Sequence, residues 1–415
     1  MEYTGVEMAA ATVHTNAAAK AKGMEYLSID DVTQRASVGV SRFTGASGVQ
    51  EYHVIVRPDE YADIETQLGW MQETYQTAID VLGIGRGTAV FRRFLLSDIV
   101  NQQDALRAHA FSNPQAPDEP CAISWVGQPP APPARAAMWA YHVSDPNAPI
   151  VKSLDASSLT LSRGPLSHHW STRLASTDAE DSYTQTQAIL SDYEHRLQSW
   201  DCTVHDNLIR TWLFVQNVDA NYKGLVTARR EFFTERGLTA DTHYIASTGI
   251  EGTHSDVAAK VLFDAYAIAG VQPEQIEFIS ALDHLSHTHV YGVTFERATS
   301  ISYRDRKHVL ISGTASIDKE GQIVHPGDVS RQLDRTLENV EALLSQAGAT
   351  LSDMCHFIVY VRDHTDCEMA RRRMRERFAT APIEVVVAPV CRPGWLIEVE
   401  GMAVIAADNP NLPEF

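Results

Sequence analysis

Two carboxylates stand two residues apart in the segment CRPGWLIEVEGMAVI, Cys391 to Ile405: Glu398 and Glu400. Around them, Leu396, Ile397, Val399, Met402 and Val404 are the apolar residues of a covered strand. Residues two apart share a strand face, so the segment puts two acids on one side of a core. A carboxyl held in an apolar wall has a raised pKa and keeps its proton near neutral pH, as a general acid must. A carboxyl paired with arginine is instead structural. We read Glu398 as the candidate acid and Glu400 as the partnered or solvated member. Cys391, beside Arg392, is either a small buried hydrophobe or a thiol drawn toward thiolate by its neighbour.

Arginine is the side chain best shaped to hold a carboxylate through two hydrogen bonds. Three arginines stand out: Arg210 in the strand-like RTWLF, Arg230 in the helix-like ARREFF and Arg297 in FERATS. Taken singly, each fits a surface salt bridge equally well. DHLSHTH supplies Asp283, His284, His287 and His289, but not in the helical HExxH spacing, so these read as solvated loop histidines and no metal site is expected. GIGRG, Gly83 to Gly87, follows a helix and not a strand, and reads as a helix stop.

These residues sit in a chain of 415 residues with 44% hydrophobic content and a formal net charge of -19. The length calls for two or three units. The charge argues against a nucleic-acid partner, and any anion site must be a local arginine cluster. Five cysteines without CxxC spacing point to a reducing, cytoplasmic setting. The N-terminus lacks the basic start and apolar core of a secretion signal, and no apolar run is long enough to span a membrane.

One order of elements occurs three times: a long amphipathic helix, a loop, an apolar strand, a second helix and a closing strand. The helix faces are Ile64 to Leu82, Ala188 to Leu197 and Leu333 to Ala347. The following strands are FRRFLLSD, IRTWLFVQN and HFIVYVRD, and the closing strands are AAMWAYHV, KVLFDAYAI and LIEVEGMAV. In the third unit HVLISGTASID and QIVHPGD read as a hairpin around the turn Asp318 to Gly321. The pattern predicts an α+β protein with helices on one face of mixed sheets. Its parts are a flexible leader over 1–45 and units over 46–150, 151–290 and 291–415. Seven prolines make 112–134 an irregular loop, and 144–165 reads as a linker. Aligned closing strands put Leu262 and an apolar residue of the first unit opposite Glu398. The third unit alone offers an acid there.

The third unit resembles the Rid family of YjgF-type enamine and imine deaminases, through ISGTASID, GDVSRQLDRTLENVEALLSQAGA, FIVYVRD and LIEVEGMAV. Rid deaminases carry an arginine after the proline of a P-x-R segment; here APIEVVVAP places Ile383 near it. Residues 165–405 are similar to the chorismatases, which share the Rid-like (chorismate-mutase-like) fold. The motifs occur in one order: RTWLFV, RREFF, STGIEG, YGVTFERATS, LISGTAS, HPGDV and RPGWLIEVEGM. Chorismatases of the 3-hydroxybenzoate type resemble one another in a glycine in ISG and a cysteine before RP, matched here by Gly313 and Cys391.

The resemblance implies three Rid-like units folded as a pseudo-trimer, with one surviving site between units two and three. It implies a chorismatase that removes pyruvate from chorismate and yields 3-hydroxybenzoate, with no metal and no organic cofactor. Arg210, Arg230, Arg297 and Tyr291 bind the substrate, Glu398 is the general acid, Gly313 makes room for the ring and Cys391 assists the later step. The implied partner is a small anionic acid, with no nucleic acid and no membrane; the chain is a monomeric pseudo-trimer or a small homo-oligomer. The alternatives are an imine or enamine hydrolase with Glu398 activating water, and a non-catalytic protein that binds a small aromatic acid.

Overall fold

The computed structural model describes residues 13–15, 23–29, 35–114, 119–155 and 157–415. Each expected helix face is apolar at helical spacing, and each helix forms there. In the first unit, β1 (Val13–Thr15), β2 (Met24–Ile29), β3 (Ala36–Thr44) and β4 (Gln50–Pro58) precede α1 (Ile64–Val81). Then come β5 (Ala89–Leu96), α2 (Ile99–Ala108), β6 (Ala122–Gly127) and β7 (Ala136–Ser144). In the second unit β8 (Val151–Asp155), β9 (Ser158–Arg163) and β10 (Leu166–Ala175) precede α3 (Ser182–Ser199) and the single turn α4 (Val204–Asn207). β11 (Leu208–Val215), α5 (Val218–Glu235), β12 (Ala246–Glu251) and β13 (Val261–Ala269) complete it. In the third, β14 (Ile276–Ile279), β15 (Ala298–Ser302) and β16 (Arg306–Ala315) precede α6 (Val329–Gln346). β17 (Met354–Val361), α7 (Cys367–Arg377), β18 (Ile383–Val387) and β19 (Ile397–Ala406) follow.

The three sheets have orders β1-β2-β3-β4-β7-β5-β6, β12-β11-β13-β10-β9-β8 and β14-β15-β16-β19-β17-β18. Apart from β1, these are one six-strand order used three times, so the expected α+β pseudo-trimer is the fold. The long helices α1, α3 and α6 each begin on an aspartate cap. Asp63, Asp181 and Asp328 accept from the backbone N–H three residues on, each cap contributing about 1 kcal/mol. On α6, Leu333, Leu337, Val340 and Leu344 form the buried stripe. The GIGRG stop also holds: Gly83, just past α1, takes a left-handed φ of 68°.

Several boundaries differ from the sequence reading. Residues 1–12, 16–22 and 30–34 of the leader lie outside the described residues, but β2 and β3 within 1–45 are strands of the first sheet. Val38 and Val40, two apart and β-branched, were the signal for this. The linker 144–165 contains β8 and β9, a hairpin at the edge of the second sheet. The stretch 112–134 contains β6, a short parallel strand without period-two alternation, and β12 and β18 are its repeats. β14 pairs with β15, so the third unit begins near 276 and not at 291. The ladder partner of β16 is β15, and the expected turn at Asp318 to Gly321 is closed by a short antiparallel pairing: an Ile317–Ile323 bridge, the Asp318 N–H on the Gln322 carbonyl at 3.0 Å and the Val324 N–H on the Ser316 carbonyl at 3.1 Å.

The sheets meet around a shared interior in which Trp139, Trp170, Trp212, Phe91 and Tyr266 pack together. Opposite charges join the units there. Arg93 of the first unit reaches Asp264 of the second at 2.9 Å, and Arg210 of the second reaches Glu400 of the third at 2.7 Å. Register makes Asp264 and Glu400 equivalent, and the first-unit counterpart is Trp139. At that third junction the ion pair is replaced by His356 stacked on Trp139 at 4.1 Å. Glu51 adds a bond to Arg306 at 2.6 Å and one to His308 at 3.0 Å. Burial pushes the Glu51 carboxyl up, but His308 and Arg306 outweigh it and hold it well below the usual range.

Removing one partner of a buried pair leaves an uncompensated charge. Arg93→Met strands Asp264, which keeps only Ser124 and the Arg173 backbone N–H. The expected loss is about 3 kcal/mol, read as a lower urea midpoint at unchanged m-value.

Candidate active site

Glu398 and Glu400 both lie on β19 with less than a tenth of their surface exposed, yet their surroundings differ completely. Glu400 points to the interior of the three-unit junction. It accepts from Arg210 Nη2 at 2.7 Å, Trp212 Nε1 at 3.0 Å and Tyr360 Oη at 2.9 Å, and from the Thr248 hydroxyl. Glu398 has no hydrogen-bonded partner among the described residues and lines a cleft between the second and third units. Burial and the nearby Glu400 carboxylate raise its pKa to about 8, against the pull of Arg210 and Arg297. Glu398 therefore holds its proton at neutral pH.

A β-bulge builds the wall beside it. Pairing of β16 with β19 shifts between Ile311 and Thr314, so Ser312 and Gly313 leave the ladder. They bond across the unit junction instead. Ser312 Oγ accepts from the Ser247 N–H at 2.9 Å, and the Gly313 N–H donates to Thr248 Oγ1 at 2.9 Å. Thr248 also accepts from Arg210 Nη2 at 2.6 Å. One hydroxyl thus ties the bulge, the arginine and Glu400 together. A Cβ on Gly313 would stand 2.0 Å from Glu398 Oε1 and 3.1 Å from Thr248 Cγ2. The missing side chain is the space the Glu398 carboxyl occupies.

The cleft is cationic. Arg229, on α5, donates from Nη1 to Ser247 Oγ at 3.3 Å, and its buried Nε and Nη2 have no partner. Arg297 gives Nε and Nη2 to the Ser286 carbonyl at 3.2 and 2.9 Å. Its guanidinium lies 5.3 Å from the ring centre of Tyr291, which Arg392 approaches at 4.7 Å. Two orphaned donors, a second guanidinium and a protonated carboxyl in one cleft form a receptor for an anionic molecule that accepts a proton. Burial, then the Glu398 carboxyl, push the Cys391 thiol up to about 12. Cys391 also shares a hydrogen bond with Tyr222. It is a neutral thiol at the cleft wall, and the thiolate reading does not hold.

The structure brings Glu398, Cys391, Arg297, Tyr291 and Gly313 to one cleft. Two expected binding residues are not there. Arg210 is spent on Glu400, Thr248 and backbone carbonyls. Arg230 faces solvent on α5, and the neighbouring Arg229 takes the inward position. Helical periodicity distinguishes them: Tyr222, Leu225, Arg229, Phe232 and Phe233 share one face, and Arg230 is turned about 100° away. No such signal marked Thr248 or Trp395. His284, His287 and His289 are exposed, and no cluster of three or more metal-ligating side chains occurs among the described residues. No helix among them is long and apolar enough to cross a membrane.

Comparison with known proteins gives four findings. The Endoribonuclease L-PSP family pattern matches residues 299–405. The chain is 28% identical over 217 residues to a chorismatase of Streptomyces rapamycinicus, covering 48% of this chain and 64% of that protein. It thus spans under two thirds of that relative. A RutC family protein of Pyrococcus horikoshii is 35% identical over 98 residues, 23% of this chain and 77% of the relative. Among solved structures, a chorismatase crystal structure superposes with a TM-score of 0.57 at 20% identity, over 77% of this chain and 94% of the other. That likeness is one of fold.

The raised Glu398 pKa has a consequence for stability. Between the ordinary carboxyl value and about 8, the folded chain keeps a proton that the unfolded chain has released, so stability falls as pH rises through that window. Glu398→Gln lacks this penalty. Urea unfolding should show the variant gaining on the parent by roughly 3 kcal/mol between pH 5 and 8. Parallel pH profiles would show Glu398 to be ordinary.

Proposed function

From the premise that the chain belongs to the RutC family of Rid/YjgF-like proteins, we propose that its cleft takes chorismate and releases pyruvate, with 3-hydroxybenzoate as the other product. The observation that carries this reading is the pairing of a proton-holding Glu398 with the unpartnered Nε and Nη2 of Arg229 in one cleft. Chorismate bears two carboxylates and an enol ether. Arg229 and Arg297 hold the carboxylates, with Tyr291 beneath the Arg297 guanidinium. Glu398 gives its proton to the terminal methylene of the enolpyruvyl group. The positive charge that develops on the ether carbon weakens the bond from the ether oxygen to the ring.

Departure of pyruvate then follows one of two branches. If water attacks, a dihydroxycyclohexadiene carboxylate forms. If the ring hydroxyl displaces the ether internally and the ring loses a proton, 3-hydroxybenzoate forms with no net water. Gly313 and Cys391 support the second branch. Gly313 lets the Glu398 carboxyl lie flat against the bulge, and Cys391, a neutral thiol bonded to Tyr222, is positioned to assist aromatisation. General-acid help contributes about 10²–10⁴-fold; orientation by the guanidinium groups and their field supply the rest.

Purified chain incubated with chorismate should release pyruvate and 3-hydroxybenzoate in equal amounts, followed by coupled assay and chromatography. Without pyruvate, the imine-hydrolase alternative takes precedence. Glu398→Gln should lose at least about 10²-fold in turnover. Because the donor is the protonated form, kcat should decline as pH rises through about 8. Arg229→Ala should lower kcat/KM by about 10²-fold, whereas Arg230→Ala should leave it unchanged; the reverse ranking would reject the cleft assignment. Gly313→Ala with Cys391→Ala should move product toward the non-aromatic diol acid.

A further inference from the structure

Threefold repetition gives the first and second units a cleft where the second and third form the candidate site. Its wall is the bulge of β10 between Ser171 and Leu174, and its floor is β6. Strand register makes Arg173 the counterpart of Gly313 and Leu262 the counterpart of Glu398. Trp125 stands where the other cleft has Gly249. The proton donor has become an aliphatic side chain, and the glycine has become a guanidinium.

Arg173 has a φ of 58°, a conformation that costs about 1 kcal/mol or more for a residue with a Cβ. Its backbone N–H donates to Asp264 Oδ1 at 2.9 Å, which holds the bulge in place. The guanidinium lies 4.5 Å from the Trp125 ring centre and has no hydrogen-bonded partner among the described residues. Arg107, His254 and Ile99 line the same cleft. Arg107 is exposed and, among the described residues, forms one ion pair, with Asp104 at 3.4 Å. The Asp256 N–H donates to His254 Nδ1 at 2.9 Å, so the neutral ring carries its proton on Nε2 as a donor. No acidic side chain lines this cleft among the described residues, although Glu119 borders the adjoining depression.

We propose that this cleft is a second binding site, for a small planar carboxylate. Arg173 and Arg107 take the carboxylate, His254 Nε2–H adds a donor, and Trp125 and Ile99 receive the carbon skeleton. With Leu262 at the position of the acid, the ligand is bound and not turned over. The site is independent of the reaction assigned to the Glu398 cleft.

The test uses benzoate with the full chain carrying Arg229→Gln, which weakens anion binding in the Glu398 cleft about 10²-fold. Equilibrium dialysis should show one benzoate per chain. Adding Arg173→Gln should weaken it about tenfold. Arg107→Gln, an exposed change that leaves the fold intact, should weaken it about threefold, and serves if the Arg173 variant does not fold. Sulfate at equal ionic strength should not displace the ligand. No binding to the Arg229→Gln chain, or binding indifferent to both arginine changes, overturns the site. Displacement by equimolar sulfate overturns the planar-carboxylate class.

Discussion

The pairing of Arg210 with Glu400 is the constraint on which the rest of the site depends. Two glutamates on one strand face, a few ångströms apart in a low-dielectric interior, cannot both be ionised without heavy cost. The structure divides the roles. Glu400 receives a guanidinium, an indole, a phenol and a hydroxyl, and Glu398 receives none. The negative charge of Glu400, added to burial, is what holds the proton on Glu398. The same ion pair joins the second unit to the third, so the Glu400 carboxylate that adds to burial in raising Glu398 also ties the cleft together, while Arg210 pulls Glu398 the other way.

Threefold repetition explains why only one junction has this chemistry. The Glu398 position holds Leu262 in the second unit and Ala137 in the first; the Glu400 position holds Asp264 and Trp139. Each junction keeps the scaffold and changes its filling. Between the first and second units Arg93 neutralises Asp264, and no second acid follows. Between the third and first units, Arg57 lies 4.0 Å from the buried Glu384. The first-unit loop covers that cleft, the Ala131 N–H bonding to the Val385 carbonyl at 2.9 Å.

Much of this was legible in the sequence, for physical reasons. Long helices and buried strands declare themselves by period, so the three helix-strand units, the closing strands and the contrast of Glu398 with Leu262 could be read directly. Short edge strands could not. β8 is an exposed edge strand and β6 sits among prolines, because edge and parallel strands need little alternation; β9 does alternate, burying Leu159 and Leu161, but lies inside a Ser/Pro/Asp-rich stretch that reads as a linker. The exchange of Arg230 for Arg229 is a different failure: the helical face was visible, and a motif was followed in its place. Arg210 shows a limit of residue type, since a buried arginine in a strand serves an ion pair or a ligand equally well until its partner is located.

The net charge of -19 bears on how an anion reaches such a site. Exposed carboxylates more than about 8 Å away are largely screened at physiological salt, whereas Arg229 and Arg297 are buried in the cleft wall, where each charge counts for several times more. The local field therefore prevails over the overall charge once an anion is at the mouth. The encounter rate still carries the unfavourable long-range term, so added salt should speed association of a dianion with this chain. A cationic protein with the same cleft would show the opposite dependence. The bulge at Gly313 completes the arrangement: with no Cβ there, the acid and the cations converge on one small volume without a methyl group between them.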